Sequence, residues 1–284
     1  RTAMELHGVH TALVTPFSDG ALDLDAFEAL CSRQIQAGVS GLVPCGTTGE
    51  TPTLDEEEWT SLVATAVRIA DGRVPVTAGC GTNATNTTVA NITRAKALGA
   101  SAALVVFPYY NKPNPAGHRA HVEACCRVGL PVVLYHVPGR TGQRLNGTLL
   151  QELCEIPGVV AVKEATGDVD FGQRLVHADI TVLSGDDFTF PALMSIGGHG
   201  VISVISNLAP KMTVALARAA ADGNREEMIR LNRRLQPVVD YLFSDSNPVP
   251  CKAAMAEFNL CANELRLPLT PGKPPPAGLI EGLQ

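Results

Sequence analysis

The stretch Val159-Val-Ala-Val-Lys-Glu-Ala165 combines β-branched and small apolar residues with a single lysine. A continuous apolar run of this length is typical of a strand buried on both faces, as in a parallel sheet covered by helices. Burial weakens the preference of a lysine for its charged form, so Lys163 is a candidate amine nucleophile that forms a Schiff base with a carbonyl substrate. The alternative is a structural lysine that extends to solvent at a strand end or pairs with a buried carboxylate.

Seven further apolar runs accompany this one, and the segments between them are long enough for helices. The eight runs are Thr11–Phe17, Gly41–Cys45, Val74–Ala78, Ala102–Phe107, Pro131–Val137, Val159–Ala165, Ile180–Ser184 and Val201–Ile205. Eight strands alternating with helices predict an α/β protein, specifically a closed (β/α)8 TIM barrel. An open doubly wound sheet is the alternative, but the first strand–helix junction lacks the G-x-G-x-x-G fingerprint.

The segment after the second run has the pattern of an amphipathic helix. Thr53 and Glu56 fit a capping box, and Gly72 is placed to end the helix. The apolar face between them consists of Trp59, Leu62, Val63, Ala66 and Val67.

Three more helical segments are expected after the eighth run, at Pro210–Asp222, Asn224–Leu242 and Pro250–Leu260. They exceed what a barrel needs. We therefore expect a barrel in residues 1–222 and a C-terminal helical extension in residues 223–284.

The composition excludes several classes of protein. The chain has 284 residues, 45% of them hydrophobic, and its 28 acidic and 22 basic side chains give a net charge of −6. This charge and the absence of a basic cluster argue against a nucleic-acid partner. No apolar segment approaches the roughly 18 residues that cross a membrane.

The eight cysteines form no C-x-x-C pair and indicate buried thiols in a reducing cytoplasm. The His118-x-x-His121 pair lacks a third ligand, so we expect an ordinary polar helix face and no metal.

Polar motifs follow or end several of the predicted strands. They are Gly46-Thr-Thr-Gly-Glu50, Tyr109-Tyr110, Leu134-Tyr-His-Val-Pro-Gly-Arg-Thr-Gly142 and Ser184-Gly-Asp-Asp187. In a barrel of this type, the catalytic groups gather at the carboxyl ends of the strands. We therefore expect these motifs to meet Lys163 on one face of the barrel.

With Lys163, these motifs resemble those of the dihydrodipicolinate synthase and N-acetylneuraminate lyase family, which are class I (Schiff-base) aldolases that act on pyruvate. The resemblance runs from about Gly8 through Gly200-Val-Ile-Ser-Val204 and includes Asn247-Pro-Val-Pro-Cys-Lys252. It implies that pyruvate forms an iminium on Lys163, and that no cofactor beyond this substrate Schiff base is needed.

The resemblance also implies roles for individual residues. Tyr135, backed by Thr48 and Tyr110, relays protons to and from the reacting centre, while Thr47 helps to hold the pyruvate carboxylate. The substrate-binding set that it implies consists of Thr47, Thr48, Arg140, Gly185 and Ile202. A hydrogen-bonded Tyr–Thr–Tyr chain can move protons by concerted exchange although a free tyrosine is a poor base.

Arg140 bears on the choice of second substrate. A guanidinium suits bidentate capture of a carboxylate, and family members with this arginine use it for L-aspartate 4-semialdehyde. The expected reaction is therefore the condensation of pyruvate with that aldehyde to 4-hydroxy-tetrahydrodipicolinate, a step of lysine and diaminopimelate biosynthesis. His136 and Gly139 depart from the family pattern beside the arginine. The alternatives are a 2-keto-3-deoxy sugar acid or N-acetylneuraminate lyase, or a catalytically silent ligand-binding barrel.

The resemblance further implies a homo-oligomer, a dimer or a dimer of dimers (homotetramer), in which Tyr110 reaches the active site of a neighbouring subunit. Lysine-inhibited family members bind lysine at the dimer interface through a histidine and a glutamate. In this chain Glu56 stands at the position of that histidine and Thr87 at the position of that glutamate, whereas Asn83 and Tyr109 match. We therefore expect little or no inhibition by lysine.

Overall fold

The barrel strands are short and parallel, and each is built from the apolar runs described above. The computed structural model describes residue 4 and residues 6–284. The strands are β1 (Gly8–Ala12), β2 (Gly41–Val43), β3 (Thr77–Gly79), β4 (Ala102–Val106), β5 (Val132–His136), β6 (Val159–Glu164), β7 (Val182–Ser184) and β8 (Gly200–Ser203). β1 begins three residues before the predicted run and ends well before Phe17, because Phe17–Ser18 pairs with Ala21–Leu22 in a separate antiparallel hairpin.

The sheet closes on itself. The order of hydrogen-bonded strands is β2-β1-β8-β7-β6-β5-β4-β3, and a parallel bridge between Leu42 and Val76 joins the two ends. Closure removes the unpaired edges of an open sheet. The predicted (β/α)8 barrel is therefore confirmed, and the doubly wound alternative is wrong.

Alternation along the strands divides the core into two layers. Side chains that point into the barrel form one buried cluster, which includes Leu104, Tyr135, Ala161 and Ile202. Side chains that point outward, such as Val162, pack with the helices in a second and larger cluster. Because Lys163 is two residues from Ala161, it lies on the inward side with that cluster.

The helices that cover the barrel are α1 (Leu24–Gln36), α2 (Glu56–Ala70), α3 (Thr85–Ala97), α4 (Pro115–Cys126), α5 (Gly147–Cys154), α6 (Val169–His177), α7 (Phe190–Ser195) and α8 (Pro210–Ala221). The predicted cap of α2 is wrong by two residues. Asp55 and Glu58 form the capping box, whereas Thr53 belongs to a short 3-10 turn and donates its hydroxyl to the carbonyl of Glu50.

Two further helices follow α8 and agree closely with the predicted segments: α9 (Arg225–Leu242) and α10 (Val249–Glu257). Tyr241, on α9, donates its hydroxyl to the carbonyl of Lys273, which ties the polypeptide after α10 to this helix. The division of the chain at residue 222 stays a prediction. Within the described residues, no helix has the length and apolar character needed to span a bilayer.

Candidate active site

Lys163 lies inside the barrel on β6 and is 6% exposed. Its Nζ atom is 3.9 Å from the centre of the Tyr135 ring, and the two residues are paired in register across β5 and β6. Among the described residues, Lys163 forms no ion pair within 4.0 Å. The lysine is therefore neither a solvent-facing residue at a strand end nor half of a buried ion pair, and its amine is available for chemistry.

Two carboxyl groups from the Ser184–Asp187 motif lie near this amine. The pKa of Asp186 is raised to about 6, first by burial and then by the negative charge of Glu164, while the charge of Lys163 opposes the shift. Burial also raises the pKa of Asp187, although its Oδ2 atom accepts hydrogen bonds of 2.8 Å from the backbone N–H groups of Val204 and Ile205. The surroundings of Lys163 are thus polar on one side and aromatic on the other.

Gly185 lies against the catalytic lysine candidate. A Cβ atom at this position would be 2.5 Å from the Cβ atom of Ala165 and 3.2 Å from Cε of Lys163. A larger residue before Asp186 would therefore have to displace Ala165 and crowd the lysine side chain. Gly185 therefore lies beside Lys163, and its role in binding a substrate stays a prediction.

The loop Gly46–Glu50 follows β2 and carries both threonines of the predicted site, so we call it the threonine loop. Thr48 is 3% exposed, and its Oγ1 atom accepts a hydrogen bond of 2.8 Å from Nδ2 of Asn247. Glu50 ends the loop in the left-handed region (φ 55°) and forms a buried ion pair of 2.6 Å with Nζ of Lys252. The middle and the last residue of this loop therefore contact the C-terminal part of the chain.

Three cavities meet at Thr47. The largest, of about 510 Å³, also contains Tyr109 and Arg140; a second, of about 220 Å³, contains Arg140 and Asn247. The third is small and is lined in part by Tyr135. Arg140, on the single-turn helix Pro138–Thr141, is exposed and lines the two larger cavities. An anionic substrate at Thr47 would thus lie close to both Tyr135 and a guanidinium.

The wall of the largest cavity contains the positions at which lysine-binding residues were expected. Glu56 is ion-paired with Arg94 at 2.6 Å, and the Arg94 guanidinium lies 5.7 Å from the centre of the Trp59 ring. Thr87 is in the same wall. The carboxylate of Glu56, which could replace the missing glutamate, is therefore already neutralised by a cation of this chain.

Tyr110 is separated from the other predicted catalytic groups. Its side chain is 89% exposed, and its backbone is in the left-handed region (φ 75°). Within the described residues, no hydrogen bond joins the hydroxyls of Tyr135, Thr48 and Tyr110, so a single chain does not form the expected Tyr–Thr–Tyr chain. The Tyr110 side chain therefore extends into solvent, away from the other predicted catalytic groups.

The whole of this architecture matches known proteins. The model of the dihydrodipicolinate synthetase family matches residues 5–274. The chain belongs to this family. The 4-hydroxy-tetrahydrodipicolinate synthase of Maridesulfovibrio salexigens is 44% identical over 274 residues, which are 94% of each chain.

Solved structures of family members share the fold. The dihydrodipicolinate synthase of Thermotoga maritima superimposes with a TM-score of 0.91 at 42% identity, over 97% of this chain and 95% of that one. A dihydrodipicolinate synthase variant described as monomeric has a TM-score of 0.91 at 41% identity, over 97% of this chain and 93% of that one. The oligomeric state therefore does not follow from the fold alone.

The two departures from the family pattern lie outside the cavities. His136 is fully buried on the outer side of β5, where its Nε2 atom accepts a hydrogen bond from the backbone of Leu145. Its Nδ1 atom is 3.5 Å from Oε1 of Glu164. Gly139 is exposed, and a Cβ atom there would meet no atom of the described residues within 4 Å. Neither residue lines a cavity that contains Arg140.

The histidines and cysteines have structural surroundings. His118 and His121 are buried rather than on an exposed face, and they hydrogen-bond to Gln143 and Thr85, respectively. In residues 4 and 6–284, no group of three or more histidine, cysteine or carboxylate side chains is placed to hold a metal ion. All eight cysteines are free, and burial raises the pKa of Cys31, for example, to about 12.

Sequence reasoning missed the contribution of the C-terminal part to the site. Asn247 touches Thr48, and Lys252 touches Glu50, across about 200 residues of sequence. The signal was present in the motif Asn247-Pro-Val-Pro-Cys-Lys252, which matches the family pattern but had no role assigned to it. Asn247 and Lys252, the polar residues at the two ends of this motif, are the residues that contact the threonine loop.

Proposed function

We propose that this chain condenses pyruvate with L-aspartate 4-semialdehyde to give 4-hydroxy-tetrahydrodipicolinate, as its relatives are named for doing. One observation carries the proposal: a buried lysine without an ion-pair partner among the described residues lies against a tyrosine ring at the centre of the barrel. The neutral amine is the nucleophile that attacks a ketone, and the absence of an ion-pair partner leaves Nζ free to do so.

The chemistry follows from the properties of an amine and a keto acid. The Lys163 amine attacks the ketone of pyruvate, and loss of water gives an iminium. The iminium withdraws electrons, so a methyl proton is lost and an enamine forms, whose carbon attacks the aldehyde of the second substrate. The amino group of that substrate then displaces Lys163 from the iminium carbon, which closes the ring and frees the lysine. Proton transfers at each stage fall to Tyr135, whose ring contacts the amine.

Residues around the threonine loop supply the anion contacts. Thr47 and Thr48 offer hydroxyl and backbone donors to the pyruvate carboxylate. Gly185 lies beside Lys163, on which the adduct forms, and Ile202 contributes to the apolar wall inside the barrel. Arg140 is the donor for the carboxylate of aspartate semialdehyde, because it lines both cavities next to Thr47.

Borohydride reduction in the presence of pyruvate tests the reaction class. Reduction traps the iminium, so a covalent mass should appear on Lys163 and disappear in Lys163→Ala. Trapping on Lys112, Lys211 or Lys252 instead would contradict the mechanism. Unchanged melting of Lys163→Ala shows that the barrel remains folded.

Substrate choice needs a second experiment. Arg140→Ala should weaken the use of aspartate semialdehyde by about 2–5 kcal/mol of binding free energy while pyruvate trapping continues. Equal loss in both half-reactions would show that Arg140 supports the fold or the pyruvate site. Cleavage of 2-keto-3-deoxy sugar acids or N-acetylneuraminate by the wild type, without condensation, would favour the rival aldolases, and no trapping at all would favour a silent barrel.

The active enzyme is proposed to be a homo-oligomer, at least a dimer, in the cytoplasm. The support is the exposed and strained Tyr110, which lies outside its own site and is free to enter a neighbour's. Mixing Tyr110→Phe chains with Lys163→Ala chains should restore activity, because some sites then combine two intact residues. Absence of recovery after demonstrated subunit exchange would refute this arrangement.

A further inference from the structure

Asn247 lies in the connection between α9 and α10, far in sequence from the barrel strands. Its Nδ2 atom donates a hydrogen bond of 2.8 Å to Oγ1 of Thr48, and both side chains are buried, at 8% and 3% exposure. Among the described residues this is the single hydrogen bond of the Thr48 hydroxyl. A residue outside the barrel strands therefore determines the surroundings of this hydroxyl.

The direction of this bond has a chemical consequence. A hydroxyl has one proton to donate and two lone pairs to accept with. Because the Thr48 oxygen accepts from the amide, its own proton points elsewhere and is available to an acceptor. Thr48 is then held as a donor, which is the property that an anionic substrate group requires.

The same residue also touches the proposed second-substrate site. The main-chain carbonyl of Asn247 accepts from the Arg140 guanidinium at 3.4 Å, and the two residues share the cavity of about 220 Å³ with Thr47. The side chain of Asn247 thus contacts the pyruvate half of the site, and its backbone contacts the other half. A substitution of the side chain removes one contact and keeps the other.

Residues of the C-terminal part also hold Glu50, the last residue of the threonine loop. Glu50 accepts from Lys252 at 2.6 Å and from the backbone N–H of Arg266 at 3.1 Å. With the bond from Asn247 to Thr48, three residues of the C-terminal part therefore hold the loop that carries Thr47 and Thr48. Such support limits the motion of the threonine hydroxyls relative to Lys163.

We propose that Asn247 is a positioning residue, which acts through Thr48 by holding the threonine hydroxyl as a hydrogen-bond donor to the pyruvate carboxylate. This inference rests on the proposed function. It assigns to the C-terminal part of the chain a role in binding the first substrate, separate from its packing against the barrel.

Steady-state kinetics of Asn247→Ala provide the main test. The KM for pyruvate should rise about three- to tenfold, which corresponds to one net hydrogen bond. The KM for aspartate semialdehyde should stay within about twofold, because the carbonyl contact to Arg140 remains. Asn263→Ala is the matched control: among the residues that the structure describes its side-chain amide bonds to Gly272 alone, so it reports the loss of an asparagine from the same part of the chain.

The isosteric variant Asn247→Asp tests the direction of the bond. A carboxylate accepts from the Thr48 hydroxyl and turns its proton away from the substrate, so the KM for pyruvate should rise at least as much as in Asn247→Ala. Wild-type binding of pyruvate by Asn247→Asp would overturn the proposal, since it would show that the side chain at this position accepts from Thr48.

A double-mutant cycle with Thr48→Val tests the route of action. In the Thr48→Val background, Asn247→Ala should change the pyruvate KM by less than about twofold. An undiminished effect there, or equal rises in both KM values matched by Asn263→Ala, would show a merely structural role. Borohydride trapping of the wild type separates a failure of the proposed function from a failure of the role of Asn247. No trapping in the wild type refutes the proposed function. Normal wild-type trapping together with an unchanged pyruvate KM in Asn247→Ala refutes this inference alone.

Discussion

The buried ion pair between Lys252 and Glu50 makes a quantitative prediction about stability. Both side chains are almost fully buried, at 0% and 1% exposure, and their charged atoms are 2.6 Å apart. Nζ of Lys252 also donates to the carbonyl of Glu264 at 2.7 Å and lies 4.3 Å from the centre of the Phe17 ring. Burial lowers the pKa of Lys252, and the charge of Glu50 opposes that shift.

Lys252→Met should destabilise the protein strongly, because it leaves the Glu50 carboxylate buried without its cation. Breaking a buried pair from one side costs about 3–5 kcal/mol of unfolding free energy. Methionine has a similar length, so the lost volume contributes little. Adding Glu50→Gln should recover about 2 kcal/mol or more, because the amide keeps hydrogen-bonding capacity without an unpaired charge.

Urea unfolding followed by far-UV circular dichroism measures these changes as shifts of the midpoint at constant slope. Arg174→Met is the control, since it removes a cation from the exposed pair with Asp170 and should leave the midpoint unchanged. Additive losses in Lys252→Met and Glu50→Gln would refute the reasoning, because they would show that the two charges do not depend on each other.

Three further predictions concern the site. Gly185→Ala should reduce pyruvate trapping at least about tenfold, because the added Cβ would lie 2.5 Å from Cβ of Ala165 and 3.2 Å from Cε of Lys163. Gly139→Ala, whose Cβ would meet no described atom within 4 Å, is the control and should trap like the wild type. Trapping is compared between samples of equal circular dichroism, and equal trapping by both variants would refute the steric argument. The pKa of Asp186 is about 6 in the folded chain against an ordinary 3.8, so the folded state binds more protons between these values and stability falls as the pH rises through that window. Asp186→Asn should abolish this fall and raise the free energy of unfolding by up to about 3 kcal/mol at pH 7 relative to the wild type, with no gain at about pH 3.5. Denaturation midpoints measured across this pH range check the prediction, and a gain independent of pH would contradict it. Millimolar L-lysine should inhibit little or not at all, since the carboxylate of Glu56 is already ion-paired within the chain; half-inhibition well below one millimolar would show that the cavity still binds lysine.

Much of the fold could be predicted from the sequence because strand and helix periodicities are local properties. The run Val159–Ala165 differs from β6 by one residue, and the predicted helix Asn224–Leu242 differs from α9 by one residue at its start. Boundaries failed where local chemistry offered two solutions. Thr53 fits a cap as well as Asp55 does, and the 3-10 turn before α2 decided between them.

The sequence by itself determined the barrel, the place of Lys163 on its sixth strand and the family of the chain, because these depend on the order of apolar runs and on short motifs that stay contiguous. Tertiary structure alone decided that Lys163 meets the Tyr135 ring without an ion-pair partner among the described residues. It also decided that Asn247 and Lys252 reach the threonine loop. These last contacts join residues roughly 200 positions apart, and their distances depend on how the barrel closes and how the last helices pack on it, which no local pattern encodes.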